Sequence, residues 1–365
     1  MAKNKVLIAG ASGVVGAAAV EEFLSQGWDV VALSRRKPEI AKPAPFEHLA
    51  VDLQDAGATK AVMSKLVDVS HVVYAALYEK PGLIAGWSEK DQMETNLAML
   101  RNFLEPLLVA AQGLKHFSLL QGTKAYGIHL HPMPIPAREG ATRDQHANFY
   151  WLQEDYLTSA AKKAGFAYSI LRPQLIIGSA YGVAMNLAPI IGAYAAITRE
   201  EGEPFGFPGG ISYVWEAVDS RLLARVFAWC ATSPAAAGQH FNCTNGDVFE
   251  WRNLWPAMAK VLGVKVGPDK PRSMAEYLPA KSGVWDGIVK KHKLRPVKMS
   301  ELVGESHHYA DFCFAYGATT PPPPAFVSAI KLRQAGFTEV CDTEEMFCYW
   351  LQNFIDRGIL PRPQG

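Results

Sequence analysis

Short apolar runs alternate with longer helix-like segments along the first half of the chain. The runs are rich in β-branched or aromatic residues and cover positions 6–9, 30–33, 71–75, 117–120 and 168–171. Helix-like segments, such as 16–26 and 91–111, lie between them. This alternation predicts an α/β fold, in which helices cover both faces of a doubly wound parallel sheet.

The alternation weakens after Gly178, where the later segments no longer fit a strand–helix–strand unit. We therefore predict two domains. The first is a sheet domain over residues 1–178, to which residues 219–245 return. The second is a smaller, mainly helical substrate lobe over residues 179–218 and 246–365.

Composition and charge narrow the class of protein. The chain has 365 residues, of which 49% are hydrophobic and 19% charged, which excludes a disordered or coiled-coil protein. Lys and Arg number 36 against 35 Asp and Glu, so no global charge favours nucleic acid as a partner. Five cysteines form no Cys-x-x-Cys pair, and the histidine pairs lack accompanying ligands, so we expect no disulfide framework and no metal site.

Two segments bear on cellular location. Residues 1–5 run directly into the first apolar run and leave no room for a signal peptide, so we expect a cytoplasmic protein. Residues 173–198 carry no charge and are long enough to span a bilayer, but glycine, serine, asparagine and proline interrupt them. We expect a buried helix there and no membrane association. Whether the chain forms a homodimer stays open.

A glycine-rich turn separates the first predicted strand from the first predicted helix. It reads Gly10-Ala11-Ser12-Gly13-Val14-Val15-Gly16. Glycines permit a tight turn and let backbone N–H groups approach a pyrophosphate at the positive end of the helix. We therefore predict a Rossmann-type dinucleotide site formed by Gly10, Ser12, Gly13, Val14, Val15 and Gly16.

The residues after the second predicted strand indicate which dinucleotide binds. NAD enzymes usually carry an acid here that bonds the ribose hydroxyls, whereas this chain has Ser34-Arg35-Arg36. Two guanidinium groups can pair with a 2′-phosphate, so we predict NADP(H) as the cofactor. Asp52 has two interpretations, a contact to the adenine edge or a turn cap. Leu53 and Ala75 are further predicted members of the cofactor site.

Hydride transfer requires a group that holds or protonates the oxygen that gains charge. In short-chain reductases a tyrosine does this beside a lysine, commonly as Tyr-x-x-x-Lys on one helix. Tyr277 and Lys281 have this spacing, but we reject them because Pro279 should break the helical turn. We favour a split pair, in which Lys124 follows the fourth apolar run and Tyr150 opens a helix-like segment.

The segment around Tyr150 carries the most specific motif. Residues 148–155 read Asn-Phe-Tyr-Trp-Leu-Gln-Glu-Asp. They resemble the Asn-Phe-Tyr-Tyr-x-x-Glu-Asp motif of the progesterone 5β-reductase/iridoid synthase-like family, which are atypical extended short-chain reductases. Gly122-Thr123-Lys124 resembles the Gly-x-Lys motif that supplies that family's catalytic lysine. Further matches extend the similarity over nearly the whole chain, at residues 10–16, 34–36, 185–187, 194–197, 241–251 and 284–289.

The resemblance implies an NADPH-dependent reduction of the activated C=C bond of an enone or enal by 1,4-addition of hydride. Tyr150 would donate a hydrogen bond to the carbonyl oxygen as it becomes an enolate, and Lys124 would support Tyr150 and the cofactor ribose. Two positions depart from the family pattern. Ala125 stands where the family often has histidine, and Trp151 replaces the second tyrosine, which leaves Tyr150 as the phenol.

The expected surroundings of the reaction are apolar. We expect Ile176 and Ile177 near the nicotinamide, and Trp151, Met185 and Phe314 around a small apolar enone or enal. Three alternatives stay open: 1,2-reduction of a carbonyl by the same pair, epimerase or dehydratase chemistry on a nucleotide sugar, and an NADPH-binding sensor without turnover.

Overall fold

The structure, a computed structural model, describes residues 4–41, 44–80, 87 and 89–363. It divides into two compact units. Unit 1 comprises Met1–Gln174, Ser220–Thr244 and Val327–Glu339, and unit 2 comprises Leu175–Asp219, Asn245–Phe326 and Val340–Gly365.

Unit 1 is built on a parallel sheet of seven strands among the described residues. The strands in chain order are β1 (Lys5–Ala9), β2 (Asp29–Leu33), β3 (Glu47–Leu49), β4 (His71–Tyr74), β5 (His116–Leu120), β6 (Ala167–Pro173), β7 (Ile176–Ile177), β8 (Val218–Asp219) and β9 (Gln239–Cys243). The order across the sheet is β3-β2-β1-β4-β5-β6-β9, while β7 pairs with β8 in unit 2. This order confirms the predicted doubly wound fold.

Helices cover both faces of this sheet. Unit 1 contains α1 (Val14–Ser25), α2 (Ala56–Met63), α3 (Lys90–Ala110), α4 (Phe149–Ala164), α6 (Ser220–Thr232) and α12 (Ile330–Gln334). Helix α1 packs against α6, and α3 packs between α2 and α4. Tyr74 of β4, Phe103 of α3 and Phe117 of β5 are fully buried together beneath α3. Burial on both faces explains why the strands read as continuous apolar runs.

Residues 327–339 belong to unit 1, whereas their sequence pattern assigns them to the lobe. Two hydrogen bonds hold them against β9. Lys331 Nζ donates to the carbonyl of His240 at 3.0 Å, and Asn242 Nδ2 donates to the carbonyl of Ser328 at 3.2 Å. These contacts join segments far apart in the chain, so no local pattern announces them.

Unit 2 is mainly helical. It contains α5 (Ala188–Glu200), α7 (Trp251–Leu262), α8 (Met274–Ala280), α9 (Ser282–His292), α10 (Met299–Val303), α11 (Ser306–Cys313) and α13 (Thr343–Asp356). Helix α5 is buried from Ala188 to Thr198, and Tyr194 in its middle lies beside Phe205, which stacks on Trp255 at 4.4 Å. The part of the uncharged stretch from Ala188 onward is therefore the core helix of unit 2. In the described part of the chain, no helix combines the length and apolar character that a membrane span requires.

The glycine turn between β1 and α1 is dictated by close backbone packing. Gly10 has a φ of +78°, and a Cβ atom there would lie 2.6 Å from the carbonyl oxygen of Ala75. A Cβ at Gly16 would lie 2.2 Å from the carbonyl oxygen of Gly10. The turn, the start of α1 and the end of β4 can therefore meet only if these positions lack side chains.

Replacing Gly10 by alanine should lower the free energy of unfolding by about 2–5 kcal/mol, because a left-handed φ penalty adds to a backbone clash. Gly27→Ala is the matched control. Gly27 has a φ of +77°, and a Cβ atom there would have nothing within 4 Å, so only the φ penalty of about 1–2 kcal/mol applies. Urea unfolding of both variants measures the difference, and equal losses would contradict the packing argument.

Candidate active site

The glycine turn presents an uncapped helix N-terminus at the carboxyl end of β1. Helix α1 begins at Val14 after Gly13, and no side chain caps it. The backbone N–H groups of Gly10 and Ala11 both donate to the carbonyl of Leu33, which holds the turn against β2. The structure thus brings the turn, Val14 and Val15 to one edge of the sheet, as an anion site requires.

The two arginines after β2 are exposed, and the side chain of Ser34 holds the backbone of the turn that carries them. Ser34 is buried, and its hydroxyl donates to the carbonyl of Arg36 at 2.6 Å. Arg35 and Arg36 are exposed, and neither forms an ion pair within the described residues. His48 of β3 lies beside them, with Nε2 3.1 Å from the carbonyl oxygen of Ser34. The strand β3 was missed in the sequence because it is only three residues long.

Asp52 closes a turn. Its Oδ1 accepts the backbone N–H of Gln54 at 3.0 Å, which is one of the two interpretations of this residue. Leu53 is buried, and its carbonyl accepts a hydrogen bond from Asn102 of α3 at 2.9 Å. Ala75 follows β4 directly and donates its N–H to the carbonyl of Ala9. These residues therefore lie along the same sheet edge as the glycine turn.

Asn148 joins the two elements that carry Lys124 and Tyr150. Lys124 lies in a 3₁₀ turn, Thr123–Tyr126, which is separated from the end of β5 by two residues, and Tyr150 lies in the first turn of α4. The Asn148 side chain accepts the backbone N–H of Tyr150 at 3.0 Å and donates to the carbonyl of Lys124 at 2.9 Å. One buried helix cap thus brings together the split pair that the sequence predicted.

Glycine at position 122 lets the Tyr150 phenol approach the end of β5. A Cβ there would lie 3.2 Å from the phenol oxygen of Tyr150. Gln121, just before it, donates from Nε2 to the backbone carbonyl of Tyr150 at 2.9 Å. The Gln121 side chain therefore holds the first turn of α4 against the end of β5, while Asn148 caps the same turn.

Burial shifts the two candidate groups in opposite directions. Burial, with the charge of Glu79, raises the pKa of the Tyr150 phenol well above its usual value, and the charge of Arg172 opposes this only in part. Burial lowers the pKa of the Lys124 ammonium to about 8, and the charge of Glu79 opposes the shift. Tyr150 is thus a neutral hydrogen-bond donor at neutral pH, and Lys124 is mostly cationic.

Two neighbours of this pair were missed by sequence reasoning. The Lys124 Nζ lies 3.8 Å from the ring centroid of Trp87, and the Tyr150 ring lies 5.2 Å from the same indole. Trp87 donates its Nε1–H to Glu79 Oε1 at 2.8 Å. Glu79 lies five positions beyond the end of β4. A charged residue so close to the carboxyl end of a strand could have marked it as a candidate site residue in the sequence.

A buried carboxylate occupies the position where a conventional lysine would stand, four residues after Tyr150. Glu154 Oε2 accepts from Arg172 Nη2 at 3.0 Å, and its Oε1 accepts from Arg143 Nη2 at 2.7 Å. Arg172 Nε in turn donates to Gln121 Oε1 at 3.0 Å. This ion network therefore extends to Gln121, the residue that holds the Tyr150 carbonyl.

Trp151, the next residue after Tyr150, is buried. Its indole ring meets His146 edge-on at 4.8 Å, and His146 Nε2 lies 3.2 Å from Nε2 of His129. His131 instead pairs with Asp144 at 2.8 Å. No group of three or more potential metal ligands occurs within the described ranges.

The remaining predicted pocket residues belong to unit 2. Ile176 pairs with Val218 in the small sheet, and Ile177 is fully buried. Met185 is half-buried. Phe314 is buried in the core of unit 2, where its ring meets Trp251 at 5.0 Å, so its surroundings are those of a core residue.

The expectation that Pro279 breaks the helical turn between Tyr277 and Lys281 is wrong. Pro279 lies inside α8 near its end, and the backbone N–H of Lys281 still reaches the carbonyl of Tyr277 at 3.1 Å. Both side chains instead contact Glu201, at 3.2 Å and 2.5 Å. Tyr277 and Lys281 therefore have a structural role, in which both side chains bind Glu201.

The chain matches the profile of the family described as "NAD dependent epimerase/dehydratase family" over residues 6–244. It also resembles the solved UDP-glucose 4-epimerase of Thermotoga maritima, with a TM-score of 0.67 and 15% identity, over 96% of this chain and 99% of that one. The first match covers more than half of the chain, and the second shows the fold. Together they define the class, an extended short-chain dehydrogenase/reductase.

Two curated relatives narrow the class further. The "3-oxo-Delta(4,5)-steroid 5-beta-reductase" of Arabidopsis thaliana is 33% identical, over 98% of this chain and 94% of that protein. The "(S)-8-oxocitronellyl enol synthase" of Antirrhinum majus is 30% identical, over 98% of this chain and 93% of that protein. The chain therefore belongs to the progesterone 5β-reductase/iridoid synthase-like family.

Replacing Glu154 by alanine should lower the free energy of unfolding by about 3–5 kcal/mol, because Arg172 would stay buried without its carboxylate. Burial raises the pKa of Glu154, but the hydrogen bond from Arg143 and the charges of His240 and Arg172 outweigh it and leave the pKa lowered. The advantage of the native protein is therefore present at neutral pH and is lost as pH falls through that lowered pKa.

Asp155→Ala is the matched control for this prediction. Asp155 also pairs with Arg143, at 2.8 Å, but its side chain is 66% exposed. Removing an exposed partner should change stability by less than about 1 kcal/mol. Denaturant unfolding at neutral and at acidic pH measures both variants. Similar losses in the two would show that the buried network does not stabilise unit 1.

Proposed function

We propose that this protein reduces the activated C=C bond of an enone or enal with NADPH, by 1,4-addition of hydride. The observation that carries the proposal is the placement of Tyr150 and Lys124 at the carboxyl end of β5, tied together by Asn148. The names of the relatives support the same chemistry, since one is a steroid 5β-reductase and another an enol synthase.

The chain's own residues fit a dinucleotide. The turn at Gly10 and Gly16 leaves no room for a Cβ atom, and α1 begins there without a side-chain cap. Arg35 and Arg36 offer two guanidinium groups to a 2′-phosphate, which supports NADP(H) over NAD(H). When bound, this cofactor supplies the hydride.

Tyr150 and Lys124 then act on the substrate oxygen. A phenol with a raised pKa stays protonated, so Tyr150 donates a hydrogen bond to the carbonyl oxygen as negative charge develops on it. Lys124, which contacts the same indole as Tyr150, adds a positive charge. One such donor stabilises an oxyanion-like transition state by about 3–4 kcal/mol. The resulting enolate takes one proton from solvent at its α-carbon, which gives the saturated carbonyl product.

The substrate that we propose is small and apolar, and Trp151 is proposed to contact it. We also propose a cytoplasmic location, which the five free cysteines support.

Replacing Tyr150 by phenylalanine should lower kcat about 100- to 1,000-fold with NADPH binding unchanged, because only the donor to the enolate oxygen is lost. Tyr156→Phe on the same helix is the matched control. Its hydroxyl contacts Glu105 at 3.4 Å, and turnover should stay unchanged. NADPH oxidation with enones, enals and saturated ketones, together with product analysis, measures the effect.

Three outcomes of that assay would overturn parts of the proposal. Alcohol products would indicate 1,2-reduction of a carbonyl. No turnover by the native protein across the panel, despite tight NADPH binding, would favour a sensor. Full activity of Tyr150→Phe would remove the phenol from the reaction.

Replacing Arg35 or Arg36 by alanine should raise the Kd for NADPH about 10- to 100-fold and leave the Kd for NADH unchanged, because a charged hydrogen bond to the 2′-phosphate is lost. Lys37→Ala is the control, since its exposed ammonium lies over the Phe46 ring at 5.3 Å. Calorimetric titration with both dinucleotides measures this. An equal loss in all three variants would indicate only diffuse attraction by positive charge.

A further inference from the structure

Glu79 is a half-buried residue that the proposed mechanism does not use. Its Oε1 accepts two hydrogen bonds, from Trp87 Nε1 at 2.8 Å and from Gln92 Nε2 at 3.3 Å. Its Oε2 is buried and has no hydrogen-bond partner in the part of the chain that the structure describes. An unpaired buried carboxylate oxygen is costly, so a nearby positive charge is needed to compensate for it.

The indole of Trp87 connects this carboxylate to Lys124. Its edge N–H donates to Glu79, and its face lies 3.8 Å from the Lys124 Nζ. A carboxylate at the N–H of an indole polarises the ring and increases the negative potential on its face, which attracts the ammonium. Trp87 is buried and also contacts the Tyr150 ring, so this arrangement lies directly against the candidate pair.

The other ionisable groups near Lys124 do not supply a negative charge. Burial first, and then the charges of His146 and Lys124, lower the pKa of His129 to about 4, so this imidazole is neutral at neutral pH. Tyr150 is a neutral phenol, and Arg172 acts on it as a cation. Glu79 is the group whose charge opposes the effect of burial on Lys124.

We propose that Glu79 is a positioning residue, which through Trp87 holds the Lys124 side chain as an ammonium ion against the indole that contacts Tyr150. The two charges stabilise each other across the ring. The effect of Glu79 on turnover rests on the proposed function, whereas its effect on the charge of Lys124 does not.

Glu79→Gln tests this assignment with little change of shape. The glutamine amide oxygen can still accept from Trp87, so the variant removes the charge and keeps the hydrogen bond. Without that charge, burial acts alone on Lys124, and its pKa falls below the present value of about 8. The sign is therefore a shift to lower pH, by about one pH unit.

The direct readout uses the protein without cofactor. An amine-reactive acylating reagent modifies only the neutral form of lysine, and peptide mass spectrometry reports modification at Lys124 as pH is raised. The midpoint should lie about one pH unit lower in Glu79→Gln than in the native protein. The alkaline limb of kcat/KM for enone reduction should move in the same direction, with KM less affected than kcat.

Two further variants complete the test. Glu89→Gln is the matched control, since the Glu89 side chain is 45% exposed, pairs with Lys80 and should leave the Lys124 midpoint unchanged. Trp87→Phe keeps an aromatic face but removes the N–H, and it should also lower the midpoint. If Glu79→Gln does not fold, the Lys124 midpoint of Trp87→Phe tests the proposal in its place.

The outcomes separate the two proposals. An unchanged Lys124 midpoint in Glu79→Gln and Trp87→Phe would overturn the role of Glu79. A shifted midpoint in a protein that reduces no enone would retain that role and overturn the proposed reaction instead.

Discussion

Two hydrogen bonds from one side chain hold the candidate site together. The Asn148 side chain accepts the backbone N–H of Tyr150 in the first turn of α4. It also donates to the carbonyl of Lys124, 24 residues earlier in the chain. A helix cap ordinarily satisfies only its own helix. Here the second half of the amide also satisfies the turn after β5, so the position of the phenol and that of the lysine depend on the same buried group.

The network behind this cap explains why the lysine is not on α4. Glu154 occupies the position one helical turn after Tyr150, where it balances the buried guanidinium of Arg172. A lysine there would place a second cation beside Arg172 without a counter-charge, at a cost of several kcal/mol. The fold therefore takes its ammonium from another element, the 3₁₀ turn after β5, and uses Gln121 to connect that strand to α4.

Burial favours the protonated form of Tyr150 but disfavours the protonated form of Lys124. The low-dielectric surroundings that keep Tyr150 protonated also favour loss of the proton from Lys124. A site that needs a neutral phenol and a charged amine therefore requires a negative charge near the amine. Glu79, separated from Lys124 by the width of an indole, meets this requirement.

Local patterns were sufficient for much of this protein. The strands, the glycine turn and the motifs at Lys124 and Tyr150 are contiguous segments, and their apolar runs, turn residues and spacing carry their own signal. The strand β3 was not predicted from the sequence because three residues are too few to show a periodic pattern. The tertiary structure alone decided the rest: residues 327–339 against β9, the capping role of Asn148, the pairing of Glu154 with Arg172, and the Glu79 and Trp87 contacts at Lys124. These contacts join side chains from separate elements, and only the packing of those elements brings the groups within hydrogen-bond or ion-pair distance.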